Sequence, residues 1–229
     1  MTKSLEVIEA ILVISPHPDD LEIAMGGTVA KEIAQGKKVI SIVLTDGRRS
    51  QRSFVCSDEE IAKIRQQEVR EAAQVLGISK LYNLELEDLH TSENQEKLNK
   101  QLSKLIKQYK PKEIYLPHPE LDRHPTHQLA ARLVFKLIEE LINNNKDNDL
   151  ATVKIWAYEV WGLFANWDLE VDISDFAEKK LAAINCHKSQ IKDLAYSEGV
   201  LGLNRWRAVF SNPHSISKTT YKEVFIKLK

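Results

Sequence analysis

Four short apolar runs, at residues 8–15, 38–45, 81–84 and 113–116, are each followed by a longer segment whose apolar positions recur at helical spacing. No other feature constrains the fold as tightly. Parallel strands need a crossover of a dozen or more residues between them, usually a helix, whereas antiparallel neighbours need only a turn. The alternation therefore predicts an α/β fold: a Rossmann-like, three-layer arrangement with a mostly parallel sheet and helices on both faces. Helices are predicted at residues 21–35, 57–76, 94–109 and 125–143. In the second, Ile61, Ile64, Val69, Ala72, Ala73 and Leu76 form the apolar stripe, and Gly77 stops it. Ser57 and Glu60 supply a capping box at its start.

The pattern continues past a polar connector at residues 144–149, with strands predicted at 152–161 and 169–173 and a helix at 174–190. No repeat is visible, and the stretch beyond the connector is too short for a separate core. Residues 1–229 are read as one domain, long enough to bury a real core. Right-handed crossovers carry the C-terminal ends of parallel strands to one rim of the sheet. Open α/β sheets bind their ligands there.

Charge narrows the partners. The net charge is −1, so no global field draws the chain to nucleic acid or to an anionic membrane. The apolar run at residues 7–14 is too short to cross a bilayer and is followed by His and Asp, so no signal peptide is expected. Two cysteines, Cys56 and Cys186, outside any C-x-x-C pair, fit a reducing compartment. The expectation is a cytoplasmic protein that binds neither nucleic acid nor membrane.

Two motifs at the predicted rim carry chemistry. P-H-P-D-D-L-E, residues 16–22, follows the first strand, and D-R-H-P-T-H, residues 122–127, follows the fourth. Read alone, the first also fits a helix N-terminus capped by Asp19 or Asp20, and the second a helix end with solvated histidines. Read together they say more. His17 stands beside two carboxylates, and His124 and His127, three apart, share a helical face. A histidine, an aspartate and a histidine are three N/O donors, which suits a catalytic zinc whose fourth position is open to water.

In these residues the chain resembles the PIG-L/LmbE family of zinc-dependent N-acetylglucosaminyl deacetylases, whose signatures are P-H-P-D-D-x-E near the N-terminus and a later H-P-x-H. The resemblance extends over nearly the whole chain. It takes in residues 21–31, Leu44-Thr45-Asp46-Gly47, Arg65-Gln66-Gln67-Glu68 with the following Ala72-Ala73 and Leu76-Gly77, and His187-Lys188-Ser189-Gln190. It implies that His17, Asp20 and His127 bind Zn²⁺ and that Asp19 is the general base toward the attacking water. His124 would stabilise the oxyanion and protonate the departing amine. The implied protein is a homo-oligomeric hydrolase that removes the N-acetyl group from a small N-acetylglucosaminyl-type substrate, one form of which carries an anionic aglycone. Two other readings stay open: a metal-containing sugar-binding protein with weakened turnover, and a hydrolase of a related non-sugar amide. A nucleotide-binding domain is disfavoured, because no G-x-G-x-x-G follows the first strand.

One position departs from the family pattern. Many members read H-P-D-H, and here Thr126 stands where that aspartate would be. His124 then needs another carboxylate, of which Asp122 is the nearest in sequence. Arg65, Arg48 and Asp122 are the candidate substrate contacts. The arginines qualify because a guanidinium pairs bidentately with carboxylate or phosphate, although Arg48, Arg49 and Arg52 also read as a solvated loop. Glu22 is expected behind the metal site, holding a loop or an arginine. Gly26-Gly27 inside a helix predicts a close backbone approach. His90, His118 and His214 read as loop histidines without a chemical role, and His187 as a structural histidine or a substrate contact. Trp156, Trp161 and Trp167 read as packing residues of the core or of a subunit interface.

Overall fold

Every residue of β1 (Ala10–Ser15) is buried, as expected of a strand covered on both faces. The computed structural model describes residues 9–50, 55–144, 148–211 and 220–229, so Arg52 and His214 lie outside the described residues. Side chains of β1 alternate between two apolar layers. Leu12 and Ile14 join Leu98 and Leu102 of α3 (Ser92–Tyr109) and Val134 and Ile138 of α4 (Pro125–Asn144). Ile11 and Val13 join Leu21 and Val29 of α1 (Asp20–Ala34), Leu76 of α2 (Asp58–Leu76) and Ala183 of α6 (Ala177–Ile184), which follows the short α5 (Asn148–Ala151) in the chain. Helices thus cover both faces, as the alternation requires.

The remaining strands are β2 (Lys38–Thr45), β3 (Lys80–Leu86), β4 (Glu113–Pro117), β5 (Lys154–Tyr158), β6 (Leu169–Asp172) and β7 (Lys222–Lys227). Among the described residues they form one seven-stranded sheet in the order β3-β2-β1-β4-β5-β7-β6. The first five pair in parallel, and β7 runs antiparallel between β5 and β6. Strand order reverses between β1 and β4, and the connections leaving these two strands depart to opposite faces. The crevice they open is the switch point at which open α/β sheets bind ligands. Both sequence motifs sit there.

The C-terminal third departs from expectation. The single helix predicted at 174–190 is three pieces: a 3₁₀ turn (Ser174–Phe176), α6, and the short α7 (Lys188–Ile191). Glu68 of α2 accepts both the N–H (2.7 Å) and the hydroxyl (2.6 Å) of Ser189, fixing a new helix start there. The helix α8 (Tyr196–Phe210) and strand β7 were not foreseen.

The glycine pair is explained by α1. That helix kinks at Met25 (φ −145°, ψ 23°), and the turn beyond begins afresh with unpaired N–H groups. Glu223 of β7 accepts from Gly27 (3.1 Å) and Thr28 (2.6 Å) and pairs with Lys180 of α6 at 2.6 Å. A Cβ on Gly27 would lie 2.6 Å from Ile173, so the expected close approach is found. Burial lowers the Lys180 pKa against the pull of Glu223. Among the described residues no helix is long and apolar enough to cross a membrane.

Candidate active site

Leaving β1, the chain turns through Pro16–Asp19 into α1. Thr45, at the end of β2, holds this turn by donating its N–H (3.0 Å) and its hydroxyl (2.8 Å) to the Pro16 carbonyl. Inside the turn, the His17 N–H donates to Asp20 Oδ2 at 2.7 Å. The second loop leaves β4 and enters α4 with Pro125 at its first position, where a missing N–H costs nothing. His118 Nδ1 accepts from the N–H groups of Glu120 (3.1 Å) and Leu121 (3.0 Å), and Gln128 donates to the Asp122 carbonyl at 2.7 Å. His118 therefore shapes the loop.

Donor atoms of three residues meet across the crevice. His17 Nδ1 lies 3.0 Å from His127 Nε2 and 3.5 Å from Asp20 Oδ2, and His127 Nε2 lies 3.3 Å from Asp20 Oδ1. A tetrahedral ion with bonds of about 2.0–2.1 Å sets its ligand atoms about 3.3 Å apart. The two imidazole nitrogens and the Asp20 carboxylate lie at spacings close to this, with one carboxylate oxygen nearer each histidine. His127 is fully buried, and its Nδ1 lies 3.1 Å from Asp122 Oδ2. An outer carboxylate of this kind fixes the ring so that Nε2 faces the site. Burial alone would raise the Asp20 carboxyl, but His127 and His17 carry it well below the ordinary carboxylate range. Burial opposes charge on His127, yet Asp20 and Asp122 lift its pKa to about 10. These charges cohere as one cluster.

A third imidazole, His124, brings one ring nitrogen within 4.8 Å of one nitrogen from each of His17 and His127, so it too could reach a shared metal ion. Its Nδ1 accepts the Thr126 N–H at 3.2 Å, so the neutral ring carries its proton on Nε2. Burial, together with His17 and His127, pushes its pKa down to about 4 against Asp20 and Asp122.

Asp19 is buried beside this set. Its Oδ2 lies 3.0 Å from Arg65 Nη2, and Arg65 also donates to the Gly47 (3.2 Å) and Pro18 (3.3 Å) carbonyls. Gly47 has φ +70°, and a Cβ there would come within 2.5 Å of Arg65 Nη1. The L-T-D-G stretch thus ends in glycine because the guanidinium passes against it.

The three expected substrate contacts each have partners within the protein, and Arg65 and Arg48 also line the cavity over the site. Arg65 is 3% exposed and committed to Asp19 and two carbonyls. Arg48 bonds Asp46 through Nε (2.8 Å) and pairs with Glu87 at 2.9 Å, so its charge is already matched. Asp122 is buried, and it meets His124 only through that residue's backbone N–H (2.8 Å), not the ring. Its carboxylate serves His127. At the His124 ring, the Thr126 N–H bonds Nδ1 where a carboxylate at 126 was missing, and Asp122 acts on that ring through its charge, which raises the pKa, rather than through contact. Among the described residues Glu22 meets no arginine; its Oε2 lies 3.3 Å from Nε2 of the buried His187, out of hydrogen-bond alignment.

The cavity over these groups measures about 480 Å³, and Trp161, Gln190, Tyr196 and Arg123 line it alongside the histidines. Sequence reasoning missed these four. Gln190 closes the His187–Gln190 motif and bonds Ser189 Oγ at 3.0 Å, a signal that was available. Trp161 is 46% exposed, with its ring 6.2 Å from His124, whereas Trp156 is a core residue as expected. Trp161 is set there by Gly162, where a Cβ would collide with the Leu121 carbonyl and lie 2.9 Å from Asp122 Cα.

Comparison with known proteins agrees with the geometry. Residues 12–138 match the PIG-L family, described as GlcNAc-PI de-N-acetylase. The diacetylchitobiose deacetylase of Thermococcus kodakarensis is 30% identical over 192 residues, covering 81% of this chain and 72% of that protein. The solved N,N'-diacetylchitobiose deacetylase of Pyrococcus horikoshii, bound to its inhibitor MPG, superposes with a TM-score of 0.78 at 30% identity, over 96% of this chain and 84% of that one. GalB, the 4-carboxy-2-hydroxymuconate hydratase of Pseudomonas putida KT2440, superposes with a TM-score of 0.80 at 19% identity, over 96% of each chain. At that identity the likeness concerns the fold alone, and a fold does not choose a reaction.

Proposed function

The chain belongs to the PIG-L family of GlcNAc-PI de-N-acetylases, and from that premise we propose that it is a zinc-dependent hydrolase removing the N-acetyl group from a small N-acetylglucosaminyl-type substrate. The observation that carries this reading is the 3.0–3.5 Å spacing of His17 Nδ1, the Asp20 carboxylate and His127 Nε2, with the Asp19 carboxylate beside them. These three residues would hold zinc, which when bound would supply Lewis acidity to the acetamide carbonyl and lower the pKa of a water to about 7.

The protein's own groups do the rest. Asp19, aimed by Arg65, takes a proton from water as the oxygen adds to the acetyl carbon. The carbonyl oxygen gains negative charge, and His124 donates its Nε2–H to it. Asp19 then returns the proton to the sugar nitrogen as the C–N bond breaks, leaving acetate and a free amine. His124 is poorly suited to deliver that proton, since an imidazolium would surrender the Thr126 N–H bond at Nδ1. The same bond weakens the case for a merely sugar-binding protein, which rested on Thr126.

The reading also takes the chain to be one cytoplasmic domain that assembles with copies of itself. Cys56 and Cys186 carry thiols not joined to each other, which supports a reducing compartment, and the exposed Trp206, Val209 and Phe210 of α8 support association. The test is acetate release from N-acetylglucosamine conjugates by protein stripped of metal and reloaded with zinc. Release that requires zinc is expected; no release from any conjugate with zinc bound would overturn the reading.

A further inference from the structure

Arg65 and Glu68 stand three apart on α2 and share one face of it. Arg65 holds Asp19 at 3.0 Å. Glu68 holds the start of α7 by accepting the N–H and the hydroxyl of Ser189. A second link joins these two anchors. The Gly47 carbonyl accepts from Arg65 Nη1 (3.2 Å) and from the Ser50 N–H (3.1 Å), and Ser50 Oγ lies 3.5 Å from Gln190 Nε2. Asp19 and Gln190 therefore line neighbouring parts of one cavity wall.

The neighbours of Gln190 also decide which way its amide points. Ser189 donates its hydroxyl hydrogen to Glu68 at 2.6 Å, so its oxygen can only accept, and the group 3.0 Å away on Gln190 must be the nitrogen. Oε1 is left without a partner among the described residues, on a side chain 6% exposed that lines the cavity. What Gln190 offers the cavity is an acceptor, and the acetamide to be cut carries a matching donor. A secondary amide is planar and trans, so its carbonyl and its N–H point in opposite directions. The walls are arranged in the same way. His124 enters with α4, which packs on one face of the sheet, and Gln190 enters with α7, which is anchored to α2 on the other.

We propose that Gln190 Oε1 accepts the N–H of the scissile acetamide and thereby selects amides over esters. The proposal rests on the deacetylase reading of the cavity. With the carbonyl oxygen toward His124 and the N–H on Gln190, the amide plane is held at both ends. As the water oxygen adds to the acetyl carbon, the nitrogen becomes pyramidal and gains a lone pair. Its N–H stays on Gln190, so the lone pair turns to the neighbouring Asp19, which delivers the proton it took from water. The oxyanion then reforms the C=O bond and the C–N pair goes to nitrogen. The amine leaves with two hydrogens, the one Gln190 held and the one from Asp19. An ester oxygen in the same place brings lone pairs against Oε1 and no hydrogen.

The probes are a methyl N-acetylglucosaminide and its 2-O-acetyl counterpart, in which oxygen replaces the N–H. Acetate release from both is measured with zinc-loaded unsubstituted protein, Gln190→Met and Gln190→Asn. Methionine keeps the volume and removes the acceptor, whereas asparagine keeps the amide and withdraws it from reach. The amide-to-ester ratio of kcat/KM within each sample cancels any loss of folded protein. It is expected to fall about tenfold in both variants, as removal of one hydrogen bond gives. Calorimetric titration of zinc-loaded Asp19→Asn protein provides a reading without turnover: the amide should bind tighter than the ester, and Gln190→Met should erase the difference. Equal losses on amide and ester would assign Oε1 to a sugar hydroxyl common to both. Unchanged rates would leave Gln190 tied to Ser50 and Ser189 alone, and equal binding of amide and ester with Gln190 intact would remove the N–H contact. Each of these overturns the proposal by itself. No acetate from the amide with the unsubstituted protein overturns the deacetylase reading and this inference together.

Discussion

Asp122 Oδ2 lies 3.1 Å from His127 Nδ1, so a carboxylate outside the donor set decides which nitrogen of that buried ring faces His17 and Asp20. Asp122→Asn should lower zinc affinity by ~10–100-fold, the usual cost of losing an outer partner of a ligating histidine. Competition with a chelator of known affinity measures it. Unchanged affinity, with a shift in the pH profile of His124, would restore the partnership expected from sequence.

His17, Asp20 and His127 can build one site, so the purified protein should carry about one zinc per chain. Metal analysis of His127→Ala should find the site empty, with circular dichroism confirming the fold. Full occupancy in that variant would remove His127 from the donor set.

Asp19→Asn is nearly isosteric but cannot take a proton. It should keep zinc and lose ~10²–10⁴-fold in kcat. Because Arg65 contacts Asp19, Arg65→Gln should depress kcat alike for neutral and anionic substrates. A loss confined to anionic ones would return Arg65 to substrate recognition.

His124 presents Nε2–H as a donor, and an amide N–H can partly replace it. His124→Ala should cost ~10²–10³-fold in kcat, in the range of a lost oxyanion donor, and His124→Gln distinctly less. If glutamine proves as inactive as alanine, the ring's work is proton transfer and the assignment to Asp19 is wrong.

Lys180 and Glu223 form a buried pair. Lys180→Met strands the carboxylate and should destabilise the fold by ~3–5 kcal/mol, read from denaturant unfolding. Adding Glu223→Gln should recover much of this, since a glutamine oxygen still accepts from the kinked turn of α1. No recovery would mean that the pair's charges are not the source of the loss.

The parallel half of the fold was legible because each strand is a contiguous apolar run buried on both faces, and each helix keeps its stripe. β7 was not legible. Its charged Glu223 faces inward, and only the kink in α1, nearly two hundred residues earlier in the chain, explains why a carboxylate belongs there. α8 was not legible either, because two glycines, Gly199 and Gly202, lie inside it and lower its helix propensity. The metal-site candidates were visible because both motifs abut strand ends and the donor types are few. Arg65 was visible as a special residue, but its destination was not: pairing it with Asp19 and two carbonyls depends on where α2 lies against the β1 turn. Trp161 carried no local signal, since its position follows from the backbone contact at Gly162.

His17 Nδ1 and His127 Nε2 touch across 110 residues of chain, one delivered by each side of the reversal in strand order. An ion between them is a cross-link as well as a reagent. It binds the folded crevice and not the open chain, so it stabilises the fold by RT ln(1 + [zinc]/Kd). On the proposed reading, chelation is expected to lower the melting temperature as it abolishes turnover, so that metal supply would set how much of the protein survives heating.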